Sequence, residues 1–239
     1  MKKLVALTAA LAAISAINAG RAQTTIADWT FQTSASTNNI IGAGDTPGTT
    51  QSGVLADIGT GTASASHAGS ATAWSIPAGD GSTNSWSSTL WAVGDYYQFQ
   101  VSSLGFNNIG VSYEQVSSGT GPASFNLQYS LDGSSFTTFS SYTVTNSPSW
   151  SVSVAGSAAE SFSYSLSPVT AVNNAASVYF RLVDANNAVD AAGTAAVGTS
   201  GTSRVDDFIV TGVPVPEPSA LALAVMGSVV CLAVFRRRR

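Results

Sequence analysis

The sequence predicts an all-β protein: an antiparallel two-sheet β-sandwich, jelly-roll-like, with an N-terminal signal peptide and a C-terminal transmembrane helix. In residues 23–213, called the body below, apolar and polar residues alternate with period two in several short stretches. Gly, Asn, Asp and Ser separate these stretches, and no part of the body keeps a helical period. About nine short strands joined by such turns are typical of a β-sandwich.

The clearest strand pattern covers residues 97–101, where Tyr97, Phe99 and Val101 alternate with Gln98 and Gln100. Between residues 33 and 81 the chain is rich in Gly, Ser, Thr and Ala, so we expect long loops with a few short strands there. In chain order, the predicted strands are Ile26–Phe31, Tyr97–Val101, Ile109–Tyr113, Phe125–Leu131 (ended by an Asp132-Gly133 hairpin turn), Phe136–Val144, Trp150–Val154, Phe162–Leu166, Val178–Leu182 and Val205–Thr211.

Residues 1–22 have the organisation of a secretory signal peptide. Lys2 and Lys3 give a positive start, Leu4–Ile17 is apolar, and Gly20–Ala22 supplies small residues for cleavage before Gln23. The apolar part is short for a membrane span, which favours cleavage over anchoring. We therefore expect the body to be exported.

Residues 214–239 read as a second targeting segment. A Pro-rich spacer precedes an uncharged apolar run from Ala220 to Phe235, and four arginines end the chain. As a helix, that run is about 24 Å long. This is somewhat short of a bilayer core of about 30 Å, which arginine snorkelling can extend. Arginines on one side predict that the helix spans a membrane with its C-terminus in the cytoplasm.

This tail resembles the PEP-CTERM sorting signal of Gram-negative bacteria. The resemblance implies that an exosortase, a membrane-embedded cysteine transpeptidase, recognises the tail and removes it while sorting the protein to the envelope or the exopolysaccharide matrix. The matching residues would be a substrate motif and not catalytic machinery. They are Pro216, Glu217, Pro218, Ser219, Arg236, Arg237, Arg238 and Arg239, with the apolar run between them.

Two segments of the body also resemble known secreted domains. Ser203–Gly212 is similar to the closing strand of many jelly-roll domains, including carbohydrate-binding modules. Phe125–Gly133 is similar to a strand and turn common in sandwich domains of PEP-CTERM proteins. Both resemblances imply a fold and no particular activity.

Charge in the body excludes one class of partner. Only Arg181 and Arg204 oppose twelve acidic residues, which gives a formal charge of −10, and the body contains no lysine. Such a surface repels phosphate backbones, so we expect no nucleic-acid binding. Each arginine is a candidate for a structural ion pair, Arg204 with Asp206 or Asp184.

Catalysis is not supported by the residue inventory. His67, the single histidine, lies in a small-residue stretch that predicts a solvated loop, and no Gly-x-Ser-x-Gly elbow accompanies it. The body glutamates, Glu114 and Glu160, and the adjacent Asp206 and Asp207 do not predict a carboxylate pair. We expect a protein that is not an enzyme.

Calcium is the one candidate cofactor, since aspartates in polar turns offer the oxygen ligands it prefers. No EF-hand spacing is present, so no site is specified and an Asx turn is the default structure at each position. The aspartates are Asp45, Asp57, Asp80, Asp132, Asp184 and Asp190.

The leading interpretation is an exported envelope or matrix protein with a structural or adhesive role. The alternative is a carbohydrate-binding module that recognises an extracellular glycan, with or without Ca²⁺. Exposed aromatic rings would then stack on sugars. The candidates for stacking are Trp74, Trp86, Trp91, Tyr96 and Trp150.

Overall fold

A computed structural model describes residues 22–33, 50–146, 150–216 and 227. The chain divides into two units, Thr25–Gly212 and the two ends taken together, Met1–Thr24 with Val213–Arg239. Nearly all of the predicted signal peptide and of the predicted sorting tail lies outside the described residues. Among the described residues, no helix has the length and apolarity to cross a membrane.

The described residues form thirteen strands and a short 3-10 helix, Thr170–Val172. In chain order the strands are β1 (Thr24–Trp29), β2 (Thr50–Leu55), β3 (Ile58–Gly59), β4 (Gly61–Ser66), β5 (Trp74–Ser75), β6 (Trp86–Ser88), β7 (Tyr96–Val101), β8 (Phe106–Ser117), β9 (Pro122–Ser130), β10 (Thr137–Thr143), β11 (Ser161–Ser165), β12 (Val178–Asp190) and β13 (Ser203–Pro214).

These strands form two sheets, which confirms the predicted antiparallel sandwich. One sheet has six strands in the order β10-β9-β12-β7-β4-β2. The other has seven: β11-β8-β13-β1-β3 lie side by side, β6 pairs with β13, and β5 pairs with β6. Antiparallel pairing joins β12 to both β9 and β7, and β7 to β4.

The core consists of the inward side chains of both sheets. Tyr97, Phe99 and Val101 are buried, as their alternation predicts. Phe208 on β13 reaches them from the opposite sheet, and Trp29 packs edge-on against both Phe99 and Phe208. Because aromatic rings bury large apolar areas, this cluster accounts for much of the driving force for closing the sandwich.

Most of the predicted strands are confirmed, and one is wrong. Trp150–Val154 is not a strand; it contains a single bridge between Ser151 and Val154. Trp150 is nevertheless buried, and its indole nitrogen donates to the Glu160 carboxylate at 3.0 Å. Val152 and Val154 are 58% and 46% exposed, so the apolar alternation of this segment does not correspond to a buried face.

Candidate functional site

The outer face of the six-stranded sheet gathers neutral polar side chains from four neighbouring strands. Since the odd-numbered residues of β7 are buried, Tyr96, Gln98 and Gln100 point outward and are half-buried. We call this surface the amide face. Its members are Ser64, Tyr96, Gln98, Gln100, Asn126, Gln128, Phe136, Tyr179 and Arg181.

Strand register brings the central members into one row. Gln98 lies opposite Ser64 on β4 and opposite Arg181 on β12, and Arg181 lies opposite Gln128 on β9. The Arg181 Nε donates to Gln98 Oε1 at 2.8 Å, and Gln98 Nε2 donates to the Ser64 hydroxyl at 3.3 Å. The row thus presents amides and hydroxyls held in place by one another.

Two aromatic rings enclose the Arg181 guanidinium. Its central carbon lies 3.8 Å from the centroid of Tyr96 and 3.6 Å from that of Phe136. A cation between two ring faces is attracted to both, so the side chain is held in one orientation. Tyr96 was predicted as a sugar-stacking ring; one of its faces is instead occupied by this arginine.

The four tryptophans proposed for stacking are buried, which corrects that expectation. Trp74 and Trp86 are fully buried, Trp91 is 5% exposed and Trp150 is 4% exposed. Trp74, Trp86 and Trp91 pack against His67 or Tyr97 inside the sandwich. A ring without an exposed face cannot stack on a sugar.

His67 also differs from its prediction as a solvated loop residue, since it is only 3% exposed. Its Nε2 lies 3.2 Å from the Ser88 hydroxyl, and its Nδ1 lies 3.3 Å from Asp95 Oδ2 without hydrogen-bond geometry. Burial lowers the pKa of His67 to about 4, so the ring is neutral at pH 7. Asp95 instead accepts two backbone N–H groups, from Ala68 and Ala92.

The Ser88, His67 and Asp95 side chains have the composition of a nucleophilic site but not its accessibility. Ser88 is fully buried, and its hydroxyl is also 2.9 Å from that of Tyr97. A substrate carbonyl would have to reach Ser88 through the packed core. In this fold His67 directly follows β4 and Asp95 directly precedes β7, and both side chains are buried near Ser88 of β6.

Carboxyl groups concentrate in the seven-stranded sheet. Burial, together with the negative charges of Asp207 and Asp57, raises the pKa of Asp28 to about 6. Burial likewise raises the pKa of Glu114 and of Asp206 to about 7. The negative charge that these three carboxylates carry at pH 7 is therefore poorly solvated and less stable than it would be in water.

The described residues contain no group of three or more acidic, histidine or cysteine side chains arranged to hold a metal. Among the aspartates considered for calcium, Asp132 and Asp190 accept backbone N–H groups within their own turns. Asp184 is fully buried and Asp57 accepts from Thr30 and Thr33. Asp45 lies outside the described residues.

Two open clefts lie on the described surface. One, of about 430 Å³, lies between Leu55, Thr62 and Gln100 at the edge of the amide face. The other, of about 370 Å³, lies beside Trp91 and Val197. Neither lining includes a titratable side chain, so neither supplies acid–base chemistry.

The amide face is the part that sequence reasoning missed. Gln98 and Gln100 were assigned to the polar side of a strand, and Arg181 lies between the buried Phe180 and Leu182. That alternation signals an outward arginine on a polar strand face. It does not predict the ring partners, which come from other parts of the chain.

The predicted ion pair for Arg181 is wrong, because this arginine pairs with no carboxylate in the part of the chain that the structure describes.

No protein-family model matches the sequence, and no curated protein matches it. The sandwich is distantly similar to solved adhesin and carbohydrate-binding module domains. The K2 cleaved adhesin domain of Lys-gingipain has 18% identity and a TM-score of 0.38, over 80% of this chain and 98% of that one. The K1 domain from Porphyromonas gingivalis W83 has 11% identity and a TM-score of 0.36, over 58% and 82%. A CBM4 domain has 11% identity and a TM-score of 0.32, over 74% and 90%. Similarity this distant says nothing about what the present chain binds.

Proposed function

We propose that this protein is an exported, non-enzymatic adhesive protein of the cell envelope or extracellular matrix, and that its amide face binds polysaccharide. The observation that carries the proposal is the row across β4, β7, β12 and β9, in which a hydroxyl and two amides accompany Arg181 and two aromatic rings lie on that arginine. Amide side chains both donate and accept hydrogen bonds, as sugar hydroxyls do. A polar, ring-bordered surface of this kind suits a polymer of sugars.

The distribution of acidic residues also supports polysaccharide binding by the amide face. The outward positions of the six-stranded sheet carry no carboxylate among the described residues; Asp184 and Asp190 on β12 are both buried. A glycan approaching this face meets no unpaired acid that would have to be desolvated. The acids of the opposite sheet leave that side poorly suited to polyanions.

In this proposal the C-terminal tail delivers the body to its place of work. An exosortase-like transpeptidase recognises the Pro216–Ser219 motif while the apolar run lies in the inner membrane. Removal of the tail then releases the sandwich to the envelope or matrix. The jelly-roll-like body is the cargo, and the tail has no part in binding.

Affinity electrophoresis of the full-length protein through gels that contain a polysaccharide tests the binding proposal. We expect retardation in at least one gel, and we expect the double variant Gln98→Ala, Gln128→Ala to lose it. Asn107→Ala is the matched control, because Asn107 is an exposed amide on β8 of the other sheet. Unretarded wild-type protein in every gel, or equal retardation of the double variant, would refute the proposal.

A further inference from the structure

We propose that the amide face selects acidic polysaccharides and that Arg181 binds their carboxylates. This inference rests on the proposed function and names the ligand class for the same surface. It follows from how the Arg181 side chain is held, from its lack of an acidic partner, and from the position of the amide face within its sheet. The formal charge of −10 on the body opposes any polyanion at long range. Salt screens that repulsion, so the proposed preference arises from the local contacts of Arg181.

The guanidinium is oriented before any ligand arrives. Tyr96 and Phe136 lie on it at 3.8 and 3.6 Å, and its Nε is engaged by Gln98 at 2.8 Å. Within the described residues, neither Nη atom donates a hydrogen bond to the protein, and neither is buried. The two Nη groups are therefore free to donate outward. A planar guanidinium presents them as a fork that matches the two oxygens of a carboxylate.

The positive charge of Arg181 is uncompensated. Partial burial lowers the pKa of Arg181, but an arginine remains protonated at neutral pH. The nearest acid along β12, Asp184, points into the core, and Asp132 in the β9–β10 turn accepts the backbone N–H groups of Ser134 and Ser135. A half-buried cation without an anion is an unfavourable arrangement that a bound carboxylate corrects.

The sheet position favours a polysaccharide over an acidic peptide. Each of the four strands that carry the row is paired on both sides, with β2 and β10 outside them. A peptide therefore cannot add to these strands as a further strand, which is the usual way an extended peptide binds a sheet. Gln98 and Gln128 lie on either side of Arg181 and can bond the hydroxyls of a uronic sugar while the arginine binds its carboxylate.

Binding of the full-length protein in mild detergent to polygalacturonate, and to the same polymer fully methyl-esterified, tests the inference. We expect the acidic form to bind about 10- to 100-fold more tightly, the range of a charge-assisted hydrogen-bonded pair. Arg181→Gln should abolish the preference, and Arg181→Lys should lose most of it, because an ammonium lacks the fork. Arg204→Gln is the matched control: it removes the same charge from the other sheet and should retain the preference.

The outcomes separate the two proposals. If neither polymer binds, the proposed function fails. If both bind equally to the wild type and to Arg181→Gln, the polysaccharide function stands and the inference is overturned. Polyglutamate is the third probe; binding as tight as that of polygalacturonate would show that any carboxylate polymer suffices and would overturn the sugar assignment.

Discussion

The rings of Phe99 and Phe208 are stacked, with their centroids 3.6 Å apart and an angle of 3° between their planes. Phe99 belongs to the six-stranded sheet and Phe208 to the seven-stranded sheet, so this contact joins the two layers directly. Tyr113 and Phe180 extend the contact on either side of Phe208. Phe208 is thus at the centre of the interface between the sheets.

Truncating this ring should destabilise the fold strongly. We expect Phe208→Ala to lower the free energy of unfolding by about 3–5 kcal/mol, because it removes buried area and leaves a cavity between the sheets. Urea unfolding followed by tryptophan fluorescence measures the change. Leu131→Ala, at a 44% exposed turn position, is the control and should stay within about 0.5 kcal/mol of the wild type. Equal losses in both variants would contradict the central position of Phe208.

Gly61 should tolerate no side chain. A Cβ there would lie 2.6 Å from the Trp29 ring and 2.8 Å from the Gln100 backbone oxygen. Since Gln100 belongs to the neighbouring strand, we expect Gly61→Ala to cost about 1–3 kcal/mol through overpacking. Gly69→Ala is the matched control, because its nearest neighbour would be at 3.4 Å. Thermal melts that shift equally for both variants would contradict this packing argument.

Stability should fall as pH rises from about 4.5 to 7. In that range Asp28, Glu114 and Asp206 have pKa values of about 6, 7 and 7 in the folded protein, above their ordinary values. The folded state then binds more protons than the unfolded state, so raising the pH destabilises it. His67, with its pKa lowered to about 4, opposes this trend up to its ordinary value of 6.5, but it is one group against three.

The variant Glu114→Gln tests this assignment in denaturant titrations across the same pH range. It should flatten the decline, because a glutamine has no proton to lose there. Asp132→Asn is the control: turn N–H groups lower the pKa of Asp132, so it titrates below this range and its variant should keep the wild-type slope. A slope that is unchanged in Glu114→Gln would show that other groups control the pH dependence.

The sorting proposal predicts a change of location when the tail is altered. Replacing Glu217 and Arg236–Arg239 by alanine should leave most of the protein in the inner-membrane fraction, since both the recognition motif and the charge that orients the helix are lost. Fractionation and immunoblotting of the native host measure this. The body variant Glu114→Gln should sort normally. Surface or matrix delivery of the tail variant at the wild-type level would refute the proposal.

Period-two alternation allowed the sandwich to be predicted, because it is a local property. Tyr97, Phe99 and Val101 alternate with Gln98 and Gln100 in sequence, and the sheet buries the first set and leaves the second half-buried on its outer face. The same reasoning could not predict that the His67 side chain is buried. Its burial depends on Trp74 and Trp91, which pack on the imidazole from other parts of the chain.

The candidate site was only partly predictable for the same reason. Tyr96 was predicted as a binding residue because the alternation places it on the polar side of a strand. The structure places it on that side of β7. Its ring contacts Arg181 on a neighbouring strand, and the second ring, Phe136, comes from the turn before β10. Such a cluster requires the order of strands in the sheet, which alternation within a single strand does not encode.

The position of β13 bears on how the chain is made. It is the last of the described strands in chain order, yet it lies inside its sheet between β8 and β1, the first of them. Until residues 203–214 have left the ribosome, β1 and β8 have no strand to bridge them, and Phe99 lacks its stacked partner. A chain that still lacks residues 203–214 therefore cannot close the sandwich, and its apolar core side chains stay exposed until β13 is available.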